Sequence, residues 1–219
     1  MKTYLTTIAL ACVLAVGPRA AAQTIDWGSP MFSDLVDSTG KKLDPGYSFE
    51  IGAFVSDFTP DQTNVTEWAA NWHTFDSAAY NKDLGYFTSS VQMAAGGQSS
   101  NPLFANLGLN FQDLHGYLWI RNSNIPLPGT QWLLARAASW IFPTYAGCCA
   151  NTPPLQWSVS DLTSTTPVYG KQGGIPGAGV FTDSGTHTLQ TYTFVPEPST
   201  PLLVILAGAF ALLRRRRAV

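Results

Sequence analysis

The chain has 219 residues, 45% of them hydrophobic but only 12% charged, with 19 Gly and 15 Pro. It is too apolar for a disordered chain, too interrupted for a long coiled coil or a polytopic helical membrane protein, and well below the roughly 25% charge of an ordinary soluble domain. The net charge of −2 hides a segregation: residues 23–195 hold 13 Asp/Glu against 6 Lys/Arg, a balance of −7, which argues against a nucleic-acid partner because phosphate binding needs clustered Lys or Arg.

The N-terminus reads as a secretory signal peptide over 1–22. Lys2 is the charged region, Leu5 to Val16 a twelve-residue apolar core, and Gly17-Pro18 breaks it. Small residues at Ala20 and Ala22 then place cleavage between Ala22 and Gln23. Twelve apolar residues are too few for a spanning anchor. The exported setting that follows is oxidising.

Residues 23–195 are enough for one real core, and strand signals dominate them. Tyr47 to Val55 begins with an alternation of apolar and polar residues, and Tyr86 to Met93 places Phe87, Val91 and Met93 on one face. Gly116 to Arg121, Trp132 to Arg136, Leu155 to Val159 and Leu189 to Phe194 are further runs of aromatic and branched residues. Turn chemistry separates them, as at Asp44-Pro45-Gly46 and Pro128-Gly129. Thr63 to Tyr80 breaks the pattern. With Trp68 and Trp72 four apart, and Asn64 or Thr66 as cap, it predicts one or two short helices. The expected fold is mainly β, an antiparallel β-sandwich ectodomain with one or two short helices.

Candidate chemistry in this middle is sparse. His73, His115 and His187 lie far apart without a partner at metal spacing, and no nucleophile elbow or phosphate loop is present. Asp57, Asp61 and Asn64 bring oxygens close together, but the Gly and distal Glu of an EF-hand are missing, so a turn is expected there. Glu50 falls on the polar face of its strand and Glu67 suits a first helical turn; neither needs catalysis. Cys148 and Cys149 leave three options: a vicinal disulfide in a turn, a link to another chain, or free thiols. Of seven Trp, those inside strand runs are expected in the core. Trp68 and Trp72, on the irregular element, are the candidates for stacking on a sugar ring. No cofactor is expected.

The C-terminus is the most specific feature. Pro196-Glu197-Pro198-Ser199-Thr200-Pro201 cannot continue a strand or helix, so it is a stiff linker. Leu202 to Leu213 is apolar on every side, which no amphipathic surface helix is. With Pro201 in its first turn it is expected as a short transmembrane helix over 201–213. Its twelve apolar residues make about 18 Å of helix against a hydrocarbon core of about 30 Å, so it spans only with help from its flanks. Arg214, Arg215, Arg216 and Arg217 should stay cytoplasmic, while the N-terminal signal sends everything before them outward.

Those three elements in order, Pro-Glu-Pro, apolar helix and Arg cluster, resemble the PEP-CTERM sorting domain of bacterial exported proteins over residues 196–219. The resemblance implies recognition by a membrane-embedded exosortase, transient anchoring in the inner membrane, and cleavage near Pro196-Glu197-Pro198. It also implies delivery to the cell surface or extracellular matrix of a Gram-negative bacterium. The ectodomain is then expected to be structural or adhesive and not an enzyme. The alternatives are a carbohydrate-binding module of the exopolysaccharide matrix, which exposed coplanar Trp would favour, and a secreted glycan hydrolase, which needs two carboxylates facing across a cleft.

Overall fold

A computed structural model describes residues 23–55, 57–105, 108–144, 153–164, 167–173 and 188–195. The signal segment 1–22, the linker and apolar segment 196–219, Cys148, Cys149 and His187 lie outside them. Among the described residues, no helix is long and apolar enough to cross a membrane.

The fold is mainly β, as the alternating runs predict. Thirteen strands run in chain order among the described residues. They are β1 (Gln23–Gly28), β2 (Leu35–Val36), β3 (Ser48–Phe54), β4 (Trp72–Ala78), β5 (Tyr80–Asn81), β6 (Tyr86–Ala94) and β7 (Gln98–Ser99). After them come β8 (Tyr117–Arg121), β9 (Gln131–Ala135), β10 (Leu155–Ser158), β11 (Lys171–Gln172), β12 (Leu189–Gln190) and β13 (Tyr192–Thr193). The first sheet has the order β10-β1-β6-β5, with β7 on β6. The second runs β13-β9-β8-β3-β4, and a small third sheet β11-β12-β2. Pairing is not uniformly antiparallel as expected: β1 runs parallel to β10, and β12 parallel to β2. A hairpin cannot make either pair, because parallel neighbours need a crossover from elsewhere in the chain.

Period-two alternation decides which core each side chain enters. From the second sheet, Phe49, Ile51 and Ala53 of β3, Leu118 and Ile120 of β8, and Leu133 and Ala135 of β9 share one core with Ile25, Phe87, Val91 and Met93 of the first sheet. The opposite face of the same three strands carries Phe54, Tyr117, Trp119, Trp132 and Leu134 into a second core. The second sheet is therefore buried on both faces. This is where most of the aromatic excess goes.

The region 63–80 departs from the expected helices. A 3-10 turn at Val65–Glu67 leads into α1, a single helical turn at Trp68–Asn71. At Trp72 the backbone becomes extended and β4 begins. The Asn71 side-chain amide donates to the Glu67 carbonyl at 2.9 Å and closes the turn. So short a helix is unstable alone; burial of Trp68, with no exposed surface, holds it. Beyond it, β4 pairs with β3 through a bulge. Ile51 faces Asp76, Gly52 faces Thr74, and the extra residue Phe75 drops into the first core against Phe111 and Phe142. The spacing of four between Trp68 and Trp72 thus joins a helix to a strand instead of lying along one helix.

Candidate functional site at the C-terminal exit

The outer face of the second sheet is an aromatic layer with one ion pair set into it. Trp68 stacks on Trp132 with ring centres 5.9 Å apart and meets Trp119 and Tyr169 edge-on. Its Nε1 donates to the Asn64 side-chain oxygen at 2.8 Å. Asn64 sits at the start of the 3-10 turn, as the capping prediction placed it, but its side chain serves Trp68 and not the helix. Trp72 is half-buried, edge-on to Phe54 and Trp119, and its Nε1 donates to Glu50 and Thr74.

The sugar-stacking platform expected of Trp68 with Trp72 is therefore not formed. Trp68 has no exposed surface, and the two rings belong to different elements that both turn toward the core. Asp57, Asp61 and Asn64 follow the turn reading. The Asp61 carboxylate accepts from the Thr63 hydroxyl and from the Thr63 and Asn64 amides. The Thr63 bonds are what hold its pKa below the usual carboxylate value. No group of three or more His, Cys, Asp or Glu among the described residues could hold a metal ion.

Glu50 and Arg121 are the pair that strand patterning missed. Glu50 was expected on a solvent-facing polar face; instead it is buried, because the aromatic layer covers that face. Arg121 Nη2 donates to both Glu50 oxygens at 2.8 Å, and its Nε to Asn124 at 2.6 Å. Burial lowers the Arg121 pKa while Glu50 opposes that shift. The guanidinium lies 3.9 Å from the centre of the Trp119 ring. Glu50 also accepts from Thr74 at 2.7 Å. With so many donors turned on it, this carboxylate is a structural anion.

The last strand delivers the chain to the surface beside this layer. Tyr192 pairs with Trp132 in register, and the Tyr169 hydroxyl donates to the Thr193 carbonyl at 3.0 Å. The Phe194 amide then donates to the Thr130 carbonyl at 2.7 Å, and its ring packs against Trp132. Phe194 is 7% exposed and Val195 53%. The fold thus holds the chain through residue 194 and releases it at the next.

A cavity of about 350 Å³ opens at this exit, lined by Gln62, Thr66, Pro126, Tyr169, Phe194 and Val195 among others. A second, of about 250 Å³, lies across β1 and β10, lined by Asp26, Trp27, Thr88, Gln156 and Trp157 among others. In the second, Asp26 already accepts from Ser90 and Gln156. The lining of the first holds no carboxylate and that of the second only Asp26, so neither presents a facing pair of acids.

What leaves the fold here is decided by sequence. The family model of the PEP-CTERM protein-sorting motif matches residues 194–217. The chain carries a PEP-CTERM sorting signal at its C-terminal end. The match starts two residues before the expected boundary at 196, on Phe194, and ends with the last arginine. The PEP-CTERM motif and the folded domain therefore overlap at Phe194 and Val195. Such a signal marks an exported, surface-sorted protein. No curated protein and no solved structure is significantly similar to the chain.

Proposed function

We propose that this is an exosortase substrate, exported behind the 1–22 signal peptide and held briefly in the inner membrane by residues 201–213, with Arg214–Arg217 on the cytoplasmic side. Cleavage near Pro196-Glu197-Pro198 then frees residues 23–195 to the cell surface or extracellular matrix of a Gram-negative bacterium. There the β-sandwich ectodomain serves as a structural or adhesive unit and not as an enzyme. The observation that carries this reading is the sorting motif at 194–217, beginning on the last buried residue of the fold. An ectodomain whose charge and aromatic rings go mainly into its own cores supports the structural role. Mass spectrometry of the surface-exposed protein tests it: the expected species begins at Gln23 and lacks Leu202 to Val219. A surface species that retains the arginines would overturn exosortase processing.

A further inference from the structure

The 350 Å³ cavity has an uncommon position. Val195 belongs to its lining, and the next residue in the chain is Pro196, so the sorting linker starts at the cavity wall with no spacer. Twenty-four residues follow Val195, and the first six include Pro196, Pro198 and Pro201. We infer that this cavity is a docking groove, in cis, for the proline-rich linker 196–201, and that it holds the processing motif against the folded domain until the exosortase draws it out. The inference rests on the reading of Pro196-Glu197-Pro198 as the processing site.

Three features argue for this occupant. The lining offers the rings of Tyr169, Phe194 and Pro126 beside the amide of Gln62 and the hydroxyl of Thr66. Aromatic-lined grooves with a few polar donors are how proteins bind polyproline II segments. A proline-rich segment is already extended and stiff, so docking costs it little conformational entropy. Tethering at zero distance makes binding intramolecular, with an effective concentration in the millimolar range, so weak contacts suffice. The rim is apolar as well: Ile125 and Leu127 flank Pro126 and are 60% and 56% exposed, an apolar surface awaiting cover.

The test uses the full-length chain purified in detergent with no exosortase present, so its result does not depend on cleavage. A benzophenone photo-crosslinking residue replaces Ser199. The expected product is a crosslink within one chain, to the segment carrying Gln62 and Thr66 or to the loop carrying Pro126. Thr66→Trp, which fills the groove, should lower the yield by about tenfold, the ratio that corresponds to about 1.4 kcal/mol. Thermal unfolding confirms that the variant is folded; if it is not, Gln62→Trp takes its place. Crosslinks to detergent alone, to another part of the domain or between two chains would overturn the proposal, as would a yield that neither groove-filling variant lowers.

Discussion

Arg121 grips both oxygens of Glu50 at 2.8 Å from the neighbouring strand, inside an aromatic layer that keeps water from both. A pair buried in this way contributes little net stability, because each ion has lost its hydration. Removing one partner is another matter, since it leaves the other charged, dry and alone. Arg121→Met or Glu50→Ala should cost about 3–5 kcal/mol, while the joint replacement Glu50→Leu with Arg121→Met should recover most of that loss. Urea unfolding of the four proteins measures the difference. A double variant no more stable than the single ones would show that packing, not charge, dominates there.

Trp68 touches Trp132, Trp119, Tyr169 and Phe54 and has no exposed surface. Trp68→Ala is expected to cost about 3–5 kcal/mol, with Trp72→Ala costing less because that ring is half-buried. Thermal unfolding with near-ultraviolet circular dichroism should show the collapse of the aromatic layer in the first variant. A Trp68→Ala protein that melts with the wild type would remove the second core from the account.

Gly52 sits where β3 and β4 slip past one another. A Cβ there would collide with the His73 carbonyl oxygen and lie 2.7 Å from the Trp72 ring. Gly52→Ala should therefore force the bulge apart and cost about 1–3 kcal/mol, the usual range for overpacking. Chemical denaturation checks it against Gly96→Ala. A Cβ at Gly96 meets nothing within 4 Å, so that variant carries only the strain of its positive φ.

Burial lifts the Tyr169 pKa to about 12, and it raises those of Tyr47, Tyr80 and Tyr117 as well. A free tyrosine ionises near about pH 10, so above that value the unfolded chain gives up protons that the folded chain keeps. The stability these hydroxyls contribute is complete below about pH 10 and falls as pH rises toward about 12. Unfolding by alkali should coincide with the tyrosinate absorbance change. Tyr169→Phe should make stability less sensitive to pH in that window, at the loss of the hydrogen bond to Thr193.

The strands with one clean face were legible from pattern alone. Phe87, Val91 and Met93 all face the core, as their spacing says. Where a strand is buried on both faces, pattern misleads, and Glu50 is the example: its position in the alternation is polar, yet its surroundings are not. The run Leu189 to Phe194 looked like one strand and is two. At Thr191 the amide donates to Val36 and the hydroxyl to Gln131, and the chain passes from the small sheet to the large one. Trp68 and Trp72 had helical spacing because both reach the same aromatic layer, one from a helix and one from a strand. The sorting signal needed no fold to be read, since composition and order at the chain end carry it. Its overlap with the last buried residue could not be read, because Phe194 owes its burial to Trp132, more than sixty positions away.

The parallel pairing of β1 with β10 sets an order of assembly. Ile25 faces Leu155 in register, and beside them Gln156 reaches Asp26 across 130 residues. An exported chain emerges N-terminus first, so β1 reaches the far side of the membrane long before its parallel neighbour does. Until then β1 can pair with β6 on one side only, and its other edge stays open to any strand that passes. Contacts this far apart in sequence also form slowly. The first strand out is among the last to be enclosed, and a periplasmic chaperone that covers strand edges would act at this point in its maturation.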